Sequence, residues 1–117
     1  MMVYTKNDKT YSCPVEATLD VIGGKWKPVI LWKLRGQTLR FSELQKAIPE
    51  VNSKTLTKQL RELEEDGIIL RTIYAEIPPR VEYSVTEFGT SLIPIIQALC
   101  DWGAKFLGTE CLAKESI

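Results

Sequence analysis

The chain of 117 residues contains no histidine. This absence excludes His-based catalytic triads, a histidine general base and histidine metal ligands, because each of them needs an imidazole. Cysteine is also scarce: the chain has Cys13, Cys100 and Cys111, with no CxxC pair. An odd number without that spacing argues against a disulfide framework or a zinc site. We therefore expect reduced thiols, no metal and no cofactor.

Long hydrophobic runs are missing as well. The most apolar stretch, SLIPIIQALCDWGAKFLG, is interrupted by Pro94, Asp101 and Lys105 and falls short of a membrane span. The first residues, MMVYTKNDKTY, lack the apolar region of a signal peptide. These two absences predict a cytoplasmic protein with no membrane partner.

The chain carries no net charge, but its charges are unevenly distributed. Residues 1–61 hold 11 basic and 5 acidic side chains, a net charge of +6, whereas residues 62–117 hold 4 and 10, a net charge of −6. Such asymmetry is typical of a nucleic-acid-binding surface beside an acidic one. Chance segregation on a solvated surface is the alternative.

The composition, with 44% hydrophobic and 26% charged residues, fits one globular domain. Residues 1–12 are polar and are predicted to form a flexible segment. Pro14 opens a helical pattern that ends at Gly23 and Gly24, and a second helix in KPVILWKL ends at Gly36. The sequence TLRF predicts a short extended segment.

The middle of the chain predicts two helices followed by a β-hairpin. Ser42 and Gln45 have capping-box spacing for a short helix. Asn52 or Ser53 caps the next helix, which runs without a breaker to Gly67. IILRTIY and RVEYSV then read as antiparallel strands around AEIPP. This order is that of a winged helix-turn-helix, a mainly α fold with a small hairpin (α+β).

A last helix is predicted from its cap at Thr86 to about Leu107. Pro94 should bend this helix or mark a slightly later start. The predicted division of the chain is therefore a winged-helix domain at 13–107 and a tail at 108–117.

The stretch NSKTLTKQLRELEEDGII has two different ends along one helix. At 100° per residue, a leucine row formed by Leu56, Leu60 and Leu63 faces away from a polar face formed by Lys54, Thr57, Lys58 and Arg61. Acidic side chains lie at the C-terminal end, against the preference set by the helix dipole. A recognition helix that keeps acids away from phosphates explains this order. An ordinary surface helix is the alternative.

Other polar residues complete the predicted DNA contacts. Arg80 lies beside the hairpin tip, where it could reach a phosphate or the minor groove. Arg40 and Ser42 lie at the start of the preceding helix, and Ser53 lies at the N-terminus of the two-ended helix. Arg71 is interpreted as an ordinary solvated arginine.

Residues 13–106 resemble the HxlR-type transcription regulators, a branch of the MarR-like winged-helix proteins. The resemblance depends on the combination of IGGKW, LRFSEL, LTKQLRELEEDGII, PPRVEYSVTEFG and LCDWG. It implies a homodimeric repressor or activator that binds inverted repeats in double-stranded promoter DNA. It also implies that residues 53–66 form the recognition helix and residues 74–81 form the wing.

The same resemblance implies that the first and last helices form the dimer interface. The apolar residues on these helices exceed what one small core needs, which agrees with a symmetric dimer. The predicted interface consists of Val15, Leu19, Leu92, Ile95, Ile96, Leu99, Trp102 and Phe106.

Some family members sense oxidants or electrophiles through a cysteine at the position of Cys13. In CPVE this cysteine precedes a helix, whose dipole favours a thiolate, although Glu16 opposes that effect. One hypothesis is an intersubunit disulfide, with Cys100 or Cys111 as partner, or alkylation of Cys13. The alternative is an inert thiol.

The sequence bears on three other functions. An enzyme is not expected, because the GGK sequence lacks the P-loop pattern: Trp26 follows the lysine and Leu19 takes the first glycine position. A protein-interaction winged helix, or non-specific DNA binding without an operator, is the main alternative. A small-molecule effector in a dimer pocket lined by Trp26, Trp32, Trp102 and the apolar last helix is a further one, although plain core and interface packing explains these side chains.

Overall fold

The computed structural model describes residues 3–111. Six helices and five strands follow one another along this part of the chain. In order they are β1 (Tyr4–Lys6), β2 (Lys9–Tyr11), α1 (Pro14–Ile22), α2 (Trp26–Leu34), β3 (Leu39–Arg40), α3 (Phe41–Ala47), α4 (Ser53–Glu65), β4 (Ile69–Tyr74), β5 (Arg80–Val85), α5 (Glu87–Thr90) and α6 (Ile93–Leu107).

The helix-helix-hairpin order confirms the winged helix-turn-helix fold. The short strand β3 adds to the hairpin, so that an antiparallel sheet has the order β3-β5-β4. Leu39 pairs with Tyr83 across β3 and β5, and Ile69 pairs with Val85 across β4 and β5. The sheet therefore fixes the hairpin to the start of α3.

The hydrophobic core is centred on α2. This helix contributes Ile30, Leu31 and Leu34, which are all fully buried. Around it pack the buried leucines of α3 and α4, the first residues of β4 and Ile96 of α6. Because α2 is apolar on several sides, it can contact α3, α4, α6 and β5 at once.

The N-terminal segment differs from the prediction. Residues 4–11, expected to be flexible, form the hairpin β1-β2, whose turn is made by Asn7 and Asp8 with φ of 53° and 64°. Asn and Asp are the non-glycine residues that best tolerate this conformation. Tyr11 and Lys9 both donate to the Asp20 carboxylate of α1, at 2.7 and 3.0 Å, and these bonds lower the pKa of Asp20.

The last helix is divided, as the later-start alternative for Pro94 allowed. Thr86 caps the short α5 by accepting a hydrogen bond from Gly89 N at 2.8 Å, and Pro94 lies in the first turn of α6. A Cβ on Gly89 would lie 2.1 Å from the carbonyl oxygen of Ile68. Only glycine allows α5 to approach the backbone before β4 this closely.

The predicted capping box at Ser42 and Gln45 is wrong. The capping box lies two residues earlier, with Arg40 as the N-cap of α3, and the Glu43 carboxylate accepts a hydrogen bond from Arg40 N at 2.8 Å. Gln45 instead donates its side-chain amide to the carbonyl oxygen of Val51 at 2.5 Å. This bond fixes the turn between α3 and α4.

An ion pair joins α2 to α4. Lys27 is a buried lysine, 8% exposed, and its Nζ lies 2.7 Å from Oε1 of Glu62. The hydrogen bond from Lys27 lowers the pKa of the Glu62 carboxyl group. Glu62 is one of the acidic side chains at the C-terminal end of the two-ended helix, and the structure shows that it compensates a buried charge.

Removing this carboxylate should destabilise the fold. Glu62→Gln leaves Lys27 buried beside a neutral amide, which we expect to lower the free energy of unfolding by about 2 kcal/mol. The effect should be constant above pH 4.5, the ordinary pKa of the carboxyl group, and should shrink as pH falls through the lower folded pKa. Denaturant unfolding at several pH values measures it.

Glu64→Gln is the matched control, because Glu64 is exposed two residues after Glu62 on α4. Its effect on the free energy of unfolding should stay within about 0.5 kcal/mol of zero. Equal effects of the two substitutions would contradict a structural role for the Lys27–Glu62 pair.

Candidate nucleic-acid interface

The helix α4 is held to the core along one side. Leu56, Leu60 and Leu63 are at most 2% exposed, which confirms the predicted leucine row. At its start, Asn52 Oδ1 accepts a hydrogen bond from Thr55 N at 2.8 Å, so Asn52 is the N-cap. The orientation of α4 is therefore fixed by its cap, its buried side and the pair with Lys27.

The opposite side of α4 faces outward. Lys54, Lys58 and Arg61 are exposed there, and within residues 3–111 none of the three forms an ion pair. Thr57 is also exposed, but its hydroxyl donates to the carbonyl oxygen of Ser53 at 2.7 Å. Its oxygen is left as an acceptor. The arrangement offers three cations on a rigid scaffold.

The start of α3 contributes the next candidates. Arg40 and Ser42 are both exposed, Arg40 at the N-cap and Ser42 in the first turn. Ser53 is exposed at the first residue of α4. Both helix starts therefore present polar side chains beside backbone N–H groups, an arrangement that suits anions.

The hairpin β4-β5 places Arg80 near this surface, but not as a free cation. Its guanidinium lies 3.4 Å from Glu76 and 3.4 Å from Glu82, and it stacks on the Tyr74 ring with 4.1 Å between the guanidinium carbon and the ring centre. In the sheet, Glu82 also pairs with Arg40 of β3. Sequence reasoning missed both carboxylates, although their spacing of four and two residues from Arg80 is visible in the sequence.

A second surface, apolar rather than charged, covers α1 and α6. Six of the eight predicted dimer residues are involved: Val15, Leu19, Ile95, Leu99, Trp102 and Phe106 are each 44–75% exposed. The Trp102 and Phe106 rings stack with centroids 5.4 Å apart. We call these six residues the α1/α6 apolar surface. Exposed apolar side chains of this size and number are typical of a protein interface.

The other two predicted dimer residues point elsewhere. Ile96 is 4% exposed and belongs to the chain's own core, and Leu92 packs against that core. Both lie on the inner side of α6, which is why helical periodicity alone assigned them to the same apolar set. The position of Ile96 does not support a direct role in a dimer contact.

The expectation that all three cysteines are reduced thiols is wrong for two of them. Cys100 in α6 and Cys111 form a disulfide within one chain, with Cα atoms 5.9 Å apart. Gly108, with φ of 73°, reverses the chain after α6 and brings Cys111 back to the helix. The sequence missed this pairing because eleven residues and a helix end separate the two cysteines.

Cys13 is exposed and is the free cysteine of the described chain. It is the N-cap of α1, but its side chain makes no capping hydrogen bond. Next to it, the Ser12 hydroxyl and backbone N–H both donate to the Glu16 carboxylate. The thiol therefore lies at a helix start that already has an acidic partner.

A cavity of about 450 Å³ lies between the N-terminal hairpin, α1 and the end of α4. Its lining includes Tyr11, Asp20, Asp66 and Phe88. The three tryptophans weighed as an effector pocket do not line it: Trp26 and Trp32 pack on the core, and Trp102 lies on the α1/α6 apolar surface.

Metal-ligand clusters and membrane-spanning helices are both missing from residues 3–111. No cluster of three or more Cys, Asp or Glu side chains there is placed to hold a metal ion. No helix in this part of the chain has both the length and the apolar character needed to cross a membrane.

Comparison with known proteins gives a consistent result. The model of the HxlR-like helix-turn-helix family matches residues 21–111. The uncharacterized HTH-type transcriptional regulator YdeP of Bacillus subtilis strain 168 is 51% identical over 100 residues, which cover 86% of this chain and 78% of YdeP.

Solved structures show the same similarity. The structure of the putative HTH-type transcriptional regulator ytcD is 52% identical in sequence and superposes with a TM-score of 0.77. The match covers 80% of this chain and 96% of the ytcD chain. The structure of the redox regulator HypR in its oxidized form is 50% identical in sequence and superposes with a TM-score of 0.75. The match covers 78% of this chain and 94% of the HypR chain. A match to the family model over most of the chain, with relatives at half identity, shows that this chain belongs to the HxlR-like helix-turn-helix family of transcriptional regulators.

Proposed function

We propose that the chain acts as a homodimer that reads an inverted repeat in double-stranded promoter DNA through α4. The observation that carries the proposal is the set of three exposed, unpaired cations on the outer side of α4, opposite its buried leucines. Cations at fixed spacing on a helix fit phosphates and base edges in the major groove. Membership in a family of transcriptional regulators supports the same function.

The charge order along α4 supports a particular docking direction. Lys54 and Lys58 lie in its N-terminal half, whereas Glu64, Glu65 and Asp66 are exposed at its end. In helix-turn-helix proteins the N-terminal residues of the recognition helix contact base edges. With this direction the carboxylates lie away from the phosphates.

The α1/α6 apolar surface supports the dimer. Burying Leu99, Trp102 and Phe106 against a second copy would remove three large, more than half-exposed side chains from water. A two-fold dimer carries two copies of α4, which suits an inverted repeat because the two half-sites are related by the same symmetry.

We further propose that oxidation of Cys13 regulates DNA binding. Cys13 is exposed, whereas Cys100 and Cys111 are bonded to each other. A partner for Cys13 would then be the Cys13 of a second copy. With diamide as oxidant, the two thiols give two protons and two electrons to the azo bond, which becomes a hydrazine, and an S–S bond forms. The redox regulator HypR, half identical in sequence, makes this function worth testing.

The reading face of α4 is tested by Lys58→Ala and Arg61→Ala. Each should weaken binding to duplex DNA by about tenfold, since a lost phosphate or base contact costs about 1–3 kcal/mol. Lys105→Ala is the control, because Lys105 is an exposed lysine on α6. Fluorescence anisotropy with a labelled random-sequence duplex and with a promoter duplex measures these affinities.

The pattern of loss separates the alternatives. An equal loss on both duplexes indicates phosphate contact, and a larger loss on the promoter duplex indicates base contact. Unchanged affinity in both α4 variants would remove α4 as the reading helix.

The dimer is tested by Trp102→Asp. A charge in the centre of the α1/α6 apolar surface should weaken self-association by about 30-fold or more, as truncating an aromatic anchor in an interface costs about 2 kcal/mol. Leu70→Asp is the control, because Leu70 is 54% exposed on β4. Sedimentation equilibrium measures both. A Trp102→Asp protein as dimeric as the parent would show that the interface lies elsewhere.

Redox sensing is tested by Cys13→Ser. In the parent protein, diamide should change DNA affinity and produce a band of twice the chain mass on a non-reducing gel. Both changes should be absent from Cys13→Ser, because no thiol is left to join two copies. If the variant responds to diamide like the parent, Cys13 is not the sensor.

A further inference from the structure

The wing hairpin carries one cation near its tip, and that cation is enclosed by carboxylates. Arg80 is the only lysine or arginine in residues 72–85. Its Nη2 lies 3.4 Å from Glu76 Oε1, and its Nε lies 3.4 Å from Glu82 Oε2. The guanidinium also rests on the Tyr74 ring. Glu76 precedes the tip and Glu82 follows it, so the arginine is held from both sides.

These contacts are loose. Hydrogen bonds between guanidinium and carboxylate groups are usually about 2.7–2.9 Å long, and both contacts of Arg80 are longer. Its Nε makes no hydrogen bond within the described chain. Glu76 is half exposed, so water screens its attraction for the arginine. A phosphate that accepted two short hydrogen bonds from Arg80 could therefore displace the carboxylates.

The carboxylates also weaken the wing as a DNA contact. Residues 74–82 hold two acids and one base, a net charge of −1. Glu82 additionally pairs in the sheet with Arg40, the other arginine predicted to contact DNA. Glu82 therefore contacts one arginine predicted to bind DNA and is the strand partner of the other.

We propose that Glu76 and Glu82 compete with DNA phosphate for Arg80 and thereby limit what the wing contributes to DNA affinity. This inference rests on the proposed DNA-binding function. Arg80 leaves its carboxylates when a phosphate takes their place, and α4 supplies most of the affinity. Glu76 and Glu82 are positioning residues, since they act through Arg80.

A double-mutant cycle tests the competition. The four proteins are the parent, Arg80→Ala, the pair Glu76→Gln with Glu82→Gln, and the combination of all three substitutions. Affinity is measured by anisotropy on a labelled random-sequence duplex at several salt concentrations, because a wing-to-phosphate contact does not depend on sequence. Glu87→Gln is the control for removing a single carboxylate outside the wing, since Glu87 lies beyond the other end of β5, and its effect counts once for each of the two carboxylates removed in the pair.

The Gln pair should tighten binding about tenfold when Arg80 is present, since it removes two weak competing ion pairs. It should tighten binding much less when Arg80 is alanine. Arg80→Ala should cost little in the parent and about tenfold in the Gln-pair protein. The slope of log affinity against log salt should steepen by about 0.9 in the Gln-pair protein, corresponding to one more neutralised phosphate.

Three results would overturn the competition. Equal tightening with and without Arg80 would mean that the carboxylates only repel DNA. An equal loss from Arg80→Ala in both backgrounds would mean that Arg80 already contacts DNA without hindrance. Weaker binding by the Gln pair would mean that the carboxylates help the wing to bind. Lys58→Ala, measured in the same assay, shows whether DNA binding through α4 itself has failed.

Discussion

The burial of three leucines along α4 is the constraint on which the rest of the interface depends. Leu56, Leu60 and Leu63 turn one side of the helix toward α2 and β4, so the side chains between them must face outward. The Asn52 cap fixes where the helix starts, and the Lys27–Glu62 pair fixes its far half. A helix that could rotate would not hold its cations at a defined spacing.

The same constraint explains why α4 has two different ends. Its N-terminal half is free to present Lys54 and Lys58, because no described carboxylate pairs with them. Its C-terminal half is acidic for two reasons. Glu62 compensates a buried lysine from α2, whereas Glu64 and Glu65 are exposed and lie beyond the proposed DNA contact. The reversal of the usual dipole preference is therefore partly structural.

The local patterns were strong enough to predict most of the fold. Proline and glycine positions marked the ends of α1 and α2, and leucine spacing identified the buried side of α4. Contacts between elements could not be predicted from these local patterns. The docking of the N-terminal hairpin depends on Asp20, a residue distant from its turn, and the Cys100–Cys111 bond depends on a chain reversal at Gly108. Neither leaves a periodic signal.

Candidate site residues show the same division. The outward position of the α4 cations follows from helical geometry, and the structure shows these side chains exposed. The ion pairing of Arg80 could not be predicted from helical or strand periodicity, because it depends on which carboxylates the hairpin brings within 4 Å of the guanidinium. Ile96 was predicted to lie in the dimer interface, and the structure shows it buried in the chain's own hydrophobic core.

We expect a dimer to read DNA sequence through α4, and site selection from a random duplex DNA pool tests this expectation most directly. With Cys13 reduced, an inverted repeat whose half-sites are about one helical turn apart should be enriched. Recovery of no common sequence, with binding that only weakens as salt rises, would contradict it. That result would indicate non-specific phosphate contact or a protein-interaction role for the same fold.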